Sequence, residues 1–506
     1  MDVQGISDAG EHVFLNRFQA QVCSKPEQIA IHQGNTAITY AQLAEAVEDM
    51  AGRLEAAGVR HGDHIAVLLD NDLRYPAVLL AALKVGAVLV PFSPKLASEQ
   101  LEIGVARSDV TFVLSYRDVA ELLARRPGLV WIDLNQPSAT AKEALKKPHA
   151  QPTAEHDPYI IVSTSGSTSE PKPIVLTQAV GLKRIGHTID TYRLTDHDVL
   201  IVATPLYHSL AQRFTILALT LGATLVLMDR FRPQTYLEAI DRHQVTFAMA
   251  VSNQIEAIIP LLDGSTKLNS LRTLVSSSYS IKPESKQRLL SMIDADLFEC
   301  YGTSEIGCAT NLNVRQAPNK AASVGAPLPY VHICILNEVG QPADSVGQIA
   351  VRTSTAFAGY YKQKEATQAS YHGEYFLTGD LGYLDSDGYL FYSGRCKELI
   401  KTGGISVYPL DIERVIAEVE GVEDCAVVGV PDDYFGELIV AVVVGEASLA
   451  ALQRCCRERL APYQQPLHVE RVQALPRTAL GKVQKFVLRE QLAERRLGER
   501  FRGMFR

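Results

Sequence analysis

Residues 160–177 read IIVSTSGSTSEPKPIVLT. The apolar start, Ile160–Ser163, predicts a strand. A run of small and hydroxyl residues follows, then Glu170-Pro171-Lys172, then a second apolar strand. Small residues let backbone amides come close to a polyphosphate, hydroxyls add donors, and the lysine adds charge. On composition alone such a run also describes a flexible loop. Its position between two strands, with a Pro-Lys-Pro exit, favours a phosphate cradle. It is not the nucleotide loop with spacing G-x-x-x-x-G-K-[ST], which occurs nowhere in the chain.

Strands and helices alternate outward from this stretch. Thr39-Tyr-Ala-Gln42 fits a capping box, and Leu43, Val47, Met50 and Leu54 then recur at helical spacing. His64–Leu69 reads as a buried strand, Tyr75–Lys84 as a helix, and Ala87–Val90 as a strand before Pro91. This alternation predicts an α/β fold of layered subdomains. Residues 135–158, rich in Pro, Lys, Ala and His, read as a surface connection. From His332 to Tyr392, short β-like runs predict a smaller β subdomain. Beyond it, Pro409–Val419 and Ser448–Leu460 read as helices and Cys425–Val430 and Leu438–Val444 as strands, forming a small α+β C-terminal domain. The expected division is an N-terminal domain over 1–393 and a C-terminal domain over 398–506, with the boundary at 394–397. No internal repeat is evident.

The chain has 506 residues, long enough for roughly three domain-sized units. Hydrophobic residues make up 47% and charged residues 21%, the balance of a globular protein. A formal net charge of −8 argues against nucleic acid as a partner. Met1–Gly10 has neither the basic start nor the apolar core of a signal peptide. The longest apolar stretches, Tyr75–Phe92 and Thr215–Met228, are interrupted by Lys84 and Gly222, so no transmembrane segment is expected. The eight cysteines are scattered without C-x-x-C pairs, which predicts reduced thiols in a cytoplasmic protein rather than a zinc site. The Arg-rich end RRLGERFRGMFR, from Arg495, reads as a solvated tail, with a membrane-surface role as the alternative.

Three further clusters carry chemistry. Glu299–Gly307 (ECYGTSEIG) offers an aromatic ring for adenine, hydroxyls for a phosphate and a carboxylate for magnesium, although alone it could be any turn. Asp380 in YFLTGD and Arg395 in SGRCKELIKTGGISVYP lie 15 positions apart and could hold both ribose hydroxyls; the alternative for Arg395 and Lys397 is a solvated turn. In LPRTALGKVQK, Lys482 follows a glycine on a loop, where most lysines are merely solvated.

Taken in this order, the clusters resemble the adenylate-forming superfamily: acyl-CoA synthetases, aryl-CoA ligases, luciferases and peptide-synthetase adenylation domains. The resemblance runs from Ile38-Thr39-Tyr40 through Gly429-Val-Pro-Asp432 and Phe435-Gly-Glu437 to Lys482. It implies that Thr164, Ser165, Gly166, Ser167, Thr168 and Lys172 form the phosphate loop. Ser278, Tyr301, Gly302, Thr303 and Ser304 would meet adenine and the α-phosphate, with Glu305 on magnesium. Asp380 and Arg395 would hold the ribose, and Lys401 would join the nucleotide site. Lys397 matches the hinge position, Lys482 the adenylation lysine, and Gly403-Gly404 the channel for an arriving thiol. The resemblance also implies that the boundary at 394–397 is a hinge and that the C-terminal domain over 398–506 is mobile. His208 matches the residue gating the acyl pocket; otherwise it is a satisfied core histidine. The implied co-substrates are ATP, Mg2+ and coenzyme A.

Several positions depart from the pattern. Ser169 and Pro173 stand where glycines are usual, and proline offers no amide to a phosphate. Ser304 replaces threonine, and Ser276-Ser-Ser-Tyr-Ser280 replaces a smaller apolar run. Leu210–Phe214 lacks the aspartate expected for an α-ammonium, so a simple carboxylic acid fits better than an amino acid. Arg213 faces either a second substrate charge or solvent. The expected reaction is acid plus ATP to acyl-AMP and pyrophosphate, then transfer to a thiol, coenzyme A first among candidates. The alternatives are a ligase that loads an acyl carrier protein or forms an amide, a luciferase-like oxidation, and an inactive nucleotide-binding protein.

Overall fold

The computed structural model of the protein describes residues 13–136, 154–163, 172–262, 268–432, 434–478 and 481–494. The expectations for the N-terminal ten residues, the phosphate loop 164–171, most of the 135–158 connection and the Arg-rich end lie outside them. The chain divides into two compact units. Among the described residues, the first comprises those of Met1–Thr164, Lys172–Ala322 and Thr353–Ala369, and the second those of Ser323–Arg352 and Ser370–Arg506.

The first unit holds two mostly parallel sheets. One runs in the order Gly307–Asn313, Asp296–Thr303, Thr273–Ser277, Phe247–Val251, Val199–Val202, Thr224–Leu227, Ile29–Gln33, Thr36–Thr39. The other is seven-stranded: Gly359–Tyr360, Pro173–Thr177, Pro158–Ser163, Val88–Pro91, His64–Leu68, Phe112–Ser115, Val130–Asp133. Its inner strands are apolar end to end because helices cover both faces of a parallel sheet, leaving no polar side. Ala66, Leu68, Val88, Val90 and Val113 pack there with Leu101 and Val105 of the helix Ser98–Arg107. The Thr39–Gln42 box forms as expected. Gln42 N donates to Thr39 Oγ1 at 3.2 Å, Thr39 N donates to Gln42 Oε1 at 2.9 Å, and the helix Tyr40–Ala56 buries Leu43, Val47, Met50 and Leu54.

The second unit contains an antiparallel sheet, Val331–Leu336, Gly347–Thr353, Tyr375–Leu384 and Tyr371–His372, with Leu390–Arg395 paired to Tyr375–Leu384. It also contains the sheet Ile405–Val407, Ile400–Thr402, Gly436–Gly445, Val422–Asp432, to which His468–Arg471 adds in parallel. The helices Pro409–Ala417 and Leu449–Arg459 pack on this second sheet through Ile412, Ile416, Leu452 and Cys456.

One expectation needs correction. The stretch His332–Tyr392 is not a single β subdomain. Residues 353–369 leave it: Gly359–Tyr360 pairs with Pro173–Thr177, and Lys364–Ala369 is a helix. Covering an otherwise open sheet edge favours this excursion, and such long-range pairing leaves no local pattern. The two apolar stretches each split into a helix and a strand, and no described helix is long and apolar enough to cross a membrane.

Thr39→Ala removes the side-chain acceptor at the helix start. It should lower unfolding free energy by about 1 kcal/mol in urea titration.

Candidate active site

In the first unit the two strands flanking the phosphate-loop sequence are antiparallel neighbours, with Ser163 directly opposite Pro173. The loop therefore begins and ends on adjacent strands, and Lys172 stands at its exit. The Lys172 ammonium lies 4.7 Å from the centre of the Tyr360 ring, and the Tyr360 hydroxyl donates to Glu305 Oε1 at 3.0 Å. One tyrosine thus joins the cation of the first motif to the carboxylate of the second. Tyr360 was not among the expected site residues, because it arrives on the strand that crosses back to the sheet edge.

The turn carrying Thr303, Ser304 and Glu305 is held by Arg184, a buried residue of the helix Gln178–Tyr192. Its guanidinium donates to the carbonyls of Ser304 (3.1 Å), Glu305 (2.9 Å) and Thr355 (3.0 and 2.9 Å). Gly302 is required by close approach, since a Cβ there would lie 1.9 Å from the Gly307 carbonyl oxygen. Tyr301 is buried, and among the described residues the buried Thr303 hydroxyl has no hydrogen-bond partner. A buried hydroxyl without a partner is costly unless a ligand meets it.

The neighbouring segment Ser276–Ile281 is pinned from below. Glu299 accepts from Ser280 Oγ at 2.7 Å and Ile281 N at 3.3 Å, and pairs with Lys286 at 2.8 Å; both charged side chains are inaccessible to solvent (0% and 2%). Burial pushes the Glu299 carboxyl above its ordinary value, with Lys286 opposing. Above this anchor Ser278 takes a φ of +86°, a left-handed conformation uncommon outside glycine. His208 caps the helix Ser209–Leu221 at its N-terminus, with its ring 4.6 Å from that of Tyr207.

In the second unit Asp380 and Arg395 are direct partners in the antiparallel ladder, and Arg395 Nε lies 3.1 Å from Asp380 Oδ1. Cross-strand register, rather than chance spacing, brings them together. Lys482 joins them. Burial first, then the Arg395 guanidinium, holds its pKa below the ordinary lysine value, while Asp380 and Glu398 oppose this. Its loop is closed by Thr478 N donating to the Lys482 carbonyl at 2.8 Å and Lys482 N donating to Thr478 Oγ1 at 3.2 Å.

Lys397 lies in the single turn Cys396–Glu398. Lys485, outside the expected set, ties this turn to the helix Pro409–Ala417 by pairing with Glu398 (3.3 Å) and Glu413 (2.7 Å). Gly403 and Gly404 have φ of +56° and +80° and form the two-residue turn between Ile400–Thr402 and Ile405–Val407. Positive φ at both positions is what a tight hairpin demands, and a Cβ on either glycine would meet open space. Lys401 is exposed on this hairpin, its amide donating to Glu437 Oε2 at 2.7 Å.

The family profile described as AMP-binding enzyme matches residues 18–361, and that of the AMP-binding enzyme C-terminal domain matches residues 411–482. This chain belongs to the AMP-binding enzyme family. An indoleacetate–CoA ligase from Aromatoleum aromaticum is 32% identical over 93% of this chain and 96% of its own. A feruloyl-CoA synthase from an Amycolatopsis species is 32% identical over 92% and 96%. Among solved structures, the o-succinylbenzoate CoA synthetase of Bacillus subtilis in complex with ATP and magnesium superposes with a TM-score of 0.84 at 26% identity, covering 93% of this chain and 98% of that one. The present family member is an AMP-forming acid–thiol ligase that uses ATP.

Lys286→Met strands the Glu299 carboxylate and should cost about 3–5 kcal/mol in an unfolding titration. Glu299→Gln in the same chain should recover part of that loss. In the single variant the raised carboxyl pKa makes the deficit shrink as pH falls through it, since the protonated form suits the buried site.

Proposed function

We propose that this enzyme joins a small carboxylic acid to coenzyme A in two steps at the residues described above. A carboxylate is a poor electrophile because its leaving group would be oxide. Attack on the α-phosphate of ATP turns that oxygen into part of AMP, a good leaving group, and releases pyrophosphate. The thiol sulfur then attacks the acyl carbon and AMP departs. Two anions must meet in the first step, so cations and fixed donors carry it, each preorganised contact contributing roughly 3–4 kcal/mol.

In this reading Lys172 and the loop 164–168 hold the outer phosphates, Thr303 and Ser304 the α-phosphate, and Tyr301 the adenine. Asp380 and Arg395 take the ribose hydroxyls, and Lys482 neutralises the charge that builds between acid and phosphate. The observation that carries the assignment is the pairing of Asp380 with Arg395 across one ladder rung, with Lys482, from a separate motif, within their electrostatic reach. The unpartnered Thr303 hydroxyl supports the phosphate role.

Magnesium fits the donors present. Glu305 is a hard carboxylate whose Oε1 is oriented by Tyr360. Among the described residues no cluster of three or more His, Cys, Asp and Glu could hold a metal. That matches an ion held by one carboxylate and substrate phosphates rather than a protein cage. Bound there, magnesium would neutralise phosphate charge. Coenzyme A as the thiol is supported by the names of the relatives. Cytoplasmic residence is supported by eight free thiols.

The test is pyrophosphate release over a panel of aliphatic, aromatic and dicarboxylic acids, with and without coenzyme A. Acid-dependent release with stoichiometric thioester formation supports the reading. Release without coenzyme A consumption points to a carrier protein or amine acceptor. Nucleotide binding without release from any acid points to an inactive binding protein.

Lys482→Ala should lower acid-dependent pyrophosphate–ATP exchange by at least about 10²-fold, the usual cost of one preorganised contact. Thioester formation from supplied acyl-adenylate should continue near the wild-type rate. We further propose that residues 394–397 are a hinge, between the two matched family segments, about which a C-terminal domain turns between steps. Proline holds φ near about −65° and blocks such a turn. Lys397→Pro should therefore retain exchange and nearly abolish thioester formation from pre-made adenylate. Equal slowing of both steps would contradict the hinge.

A further inference from the structure

The helix Ser209–Leu221 carries one cation in its first half, Arg213, between buried Gln212 and Phe214. Its Nε is buried and has no hydrogen-bond partner, and among the described residues no carboxylate forms an ion pair with it. Phe214 stands beside it, with the ring centre 5.4 Å from the guanidinium carbon. Its field also reaches Tyr159, Cys300 and Cys308. None of these is a carboxylate. The Cys300 thiol is held below its usual range chiefly by its hydrogen bond with Cys308, against burial, with Ser277 and then Arg213 assisting. Glu299, the carboxylate felt at Cys300, is already engaged by Lys286, Ser280 and Ile281. Arg213 is only half-buried, but its Nε is out of water without a partner, and the guanidinium's forked donors match a carboxylate best.

The location gives this unpaired charge a use. Ser277 ends the strand Thr273–Ser277, and Cys300 lies just past the last parallel rung, Ser276 opposite Glu299. The helix bearing Arg213 follows the strand Val199–Val202, which runs parallel to Thr224–Leu227 and Phe247–Val251. Its first turns therefore lie beyond the carboxyl ends of these strands, the side on which open α/β sheets bind ligands. Thr303, with its unpartnered hydroxyl, is three residues further along the same chain. An acid whose reacting carboxylate meets the nucleotide near Thr303 would extend its far end towards Arg213.

We propose that Arg213 determines acid specificity by receiving a second, distal carboxylate, so that the substrates of this enzyme are dicarboxylic acids. This rests on the ligase reading above. One carboxylate is activated while the other stays ionised in the Arg213 fork and takes no part in bond making.

The test compares aliphatic and aromatic diacids with their monomethyl esters, which keep nearly the same shape and lose one charge. Pyrophosphate release should give a kcat/KM at least about 10²-fold higher for the best diacid than for its half-ester, because a site built for a polar group rejects the analogue lacking it. In Arg213→Met that ratio should collapse to about one, and Arg213→Lys, which keeps charge without the fork, should restore part of it. A wild-type ratio near one, or an Arg213→Met loss that leaves the ratio intact, overturns the proposal. If no acid supports pyrophosphate release, the ligase reading fails separately. Calorimetric titration of the same diacids and half-esters into wild type and Arg213→Met then decides: selective diacid binding lost in the variant supports the Arg213 site, and its absence in wild type overturns it.

Discussion

Arg184 makes four hydrogen bonds to three backbone carbonyls, and the turn that carries Thr303, Ser304 and Glu305 depends on them. A buried guanidinium is costly unless its donors are met. Here carbonyls of two distant segments, 304–305 and 355, meet them at once. The clamp has two consequences. It holds the turn beside the strand bearing Tyr360, so that the tyrosine hydroxyl can orient the Glu305 carboxylate. It also spans chain that the close approach at Gly302 has already folded tightly. A side chain at Gly302 or a shorter cation at 184 would move the same few atoms.

The chemistry needs positive charge from more than one direction, since a carboxylate and a phosphate repel until both are neutralised. The cations proposed for this role sit on separate pieces of chain. Lys172 and the Glu305 turn lie in the first unit, whereas Asp380, Arg395 and Lys482 lie in the second. Each group is fixed locally by different means: Tyr360 for the first, the Asp380–Arg395 rung for the second. Each cluster is thus held by contacts within its own unit.

Local chemistry was readable from the sequence wherever the partner was a near neighbour. The capping box at Thr39 and Gln42 needs only residues three apart. Gly403-Gly404 marks a turn because both positions need positive φ, so the hairpin explains the glycines before any thiol channel is invoked. The 15-residue offset of Asp380 and Arg395 becomes intelligible as two arms of a hairpin. What could not be read depends on distant pairing. Arg184 looks like any helical arginine until Thr355 is brought to it. Tyr360 is informative only once the strand Gly359–Tyr360 is seen on the sheet edge. The Lys286–Glu299 pair resembles two surface charges in sequence, yet it lies under the Ser276–Ile281 segment. The phosphate loop, the clearest motif in the sequence, lies outside the described residues, so only its flanking strands and Lys172 bear on it.

If the acid itself attacks the α-phosphate of ATP, one of its oxygens must leave with the nucleotide. The measurement supplies the acid labelled with oxygen-18 in its carboxylate and analyses the nucleotide product after thioester formation. One labelled oxygen should appear in the phosphoryl group of AMP, with none in pyrophosphate. Label appearing in inorganic phosphate, with ADP as the nucleotide product, would mean attack at the γ-phosphate through an acyl phosphate and would contradict this mechanism.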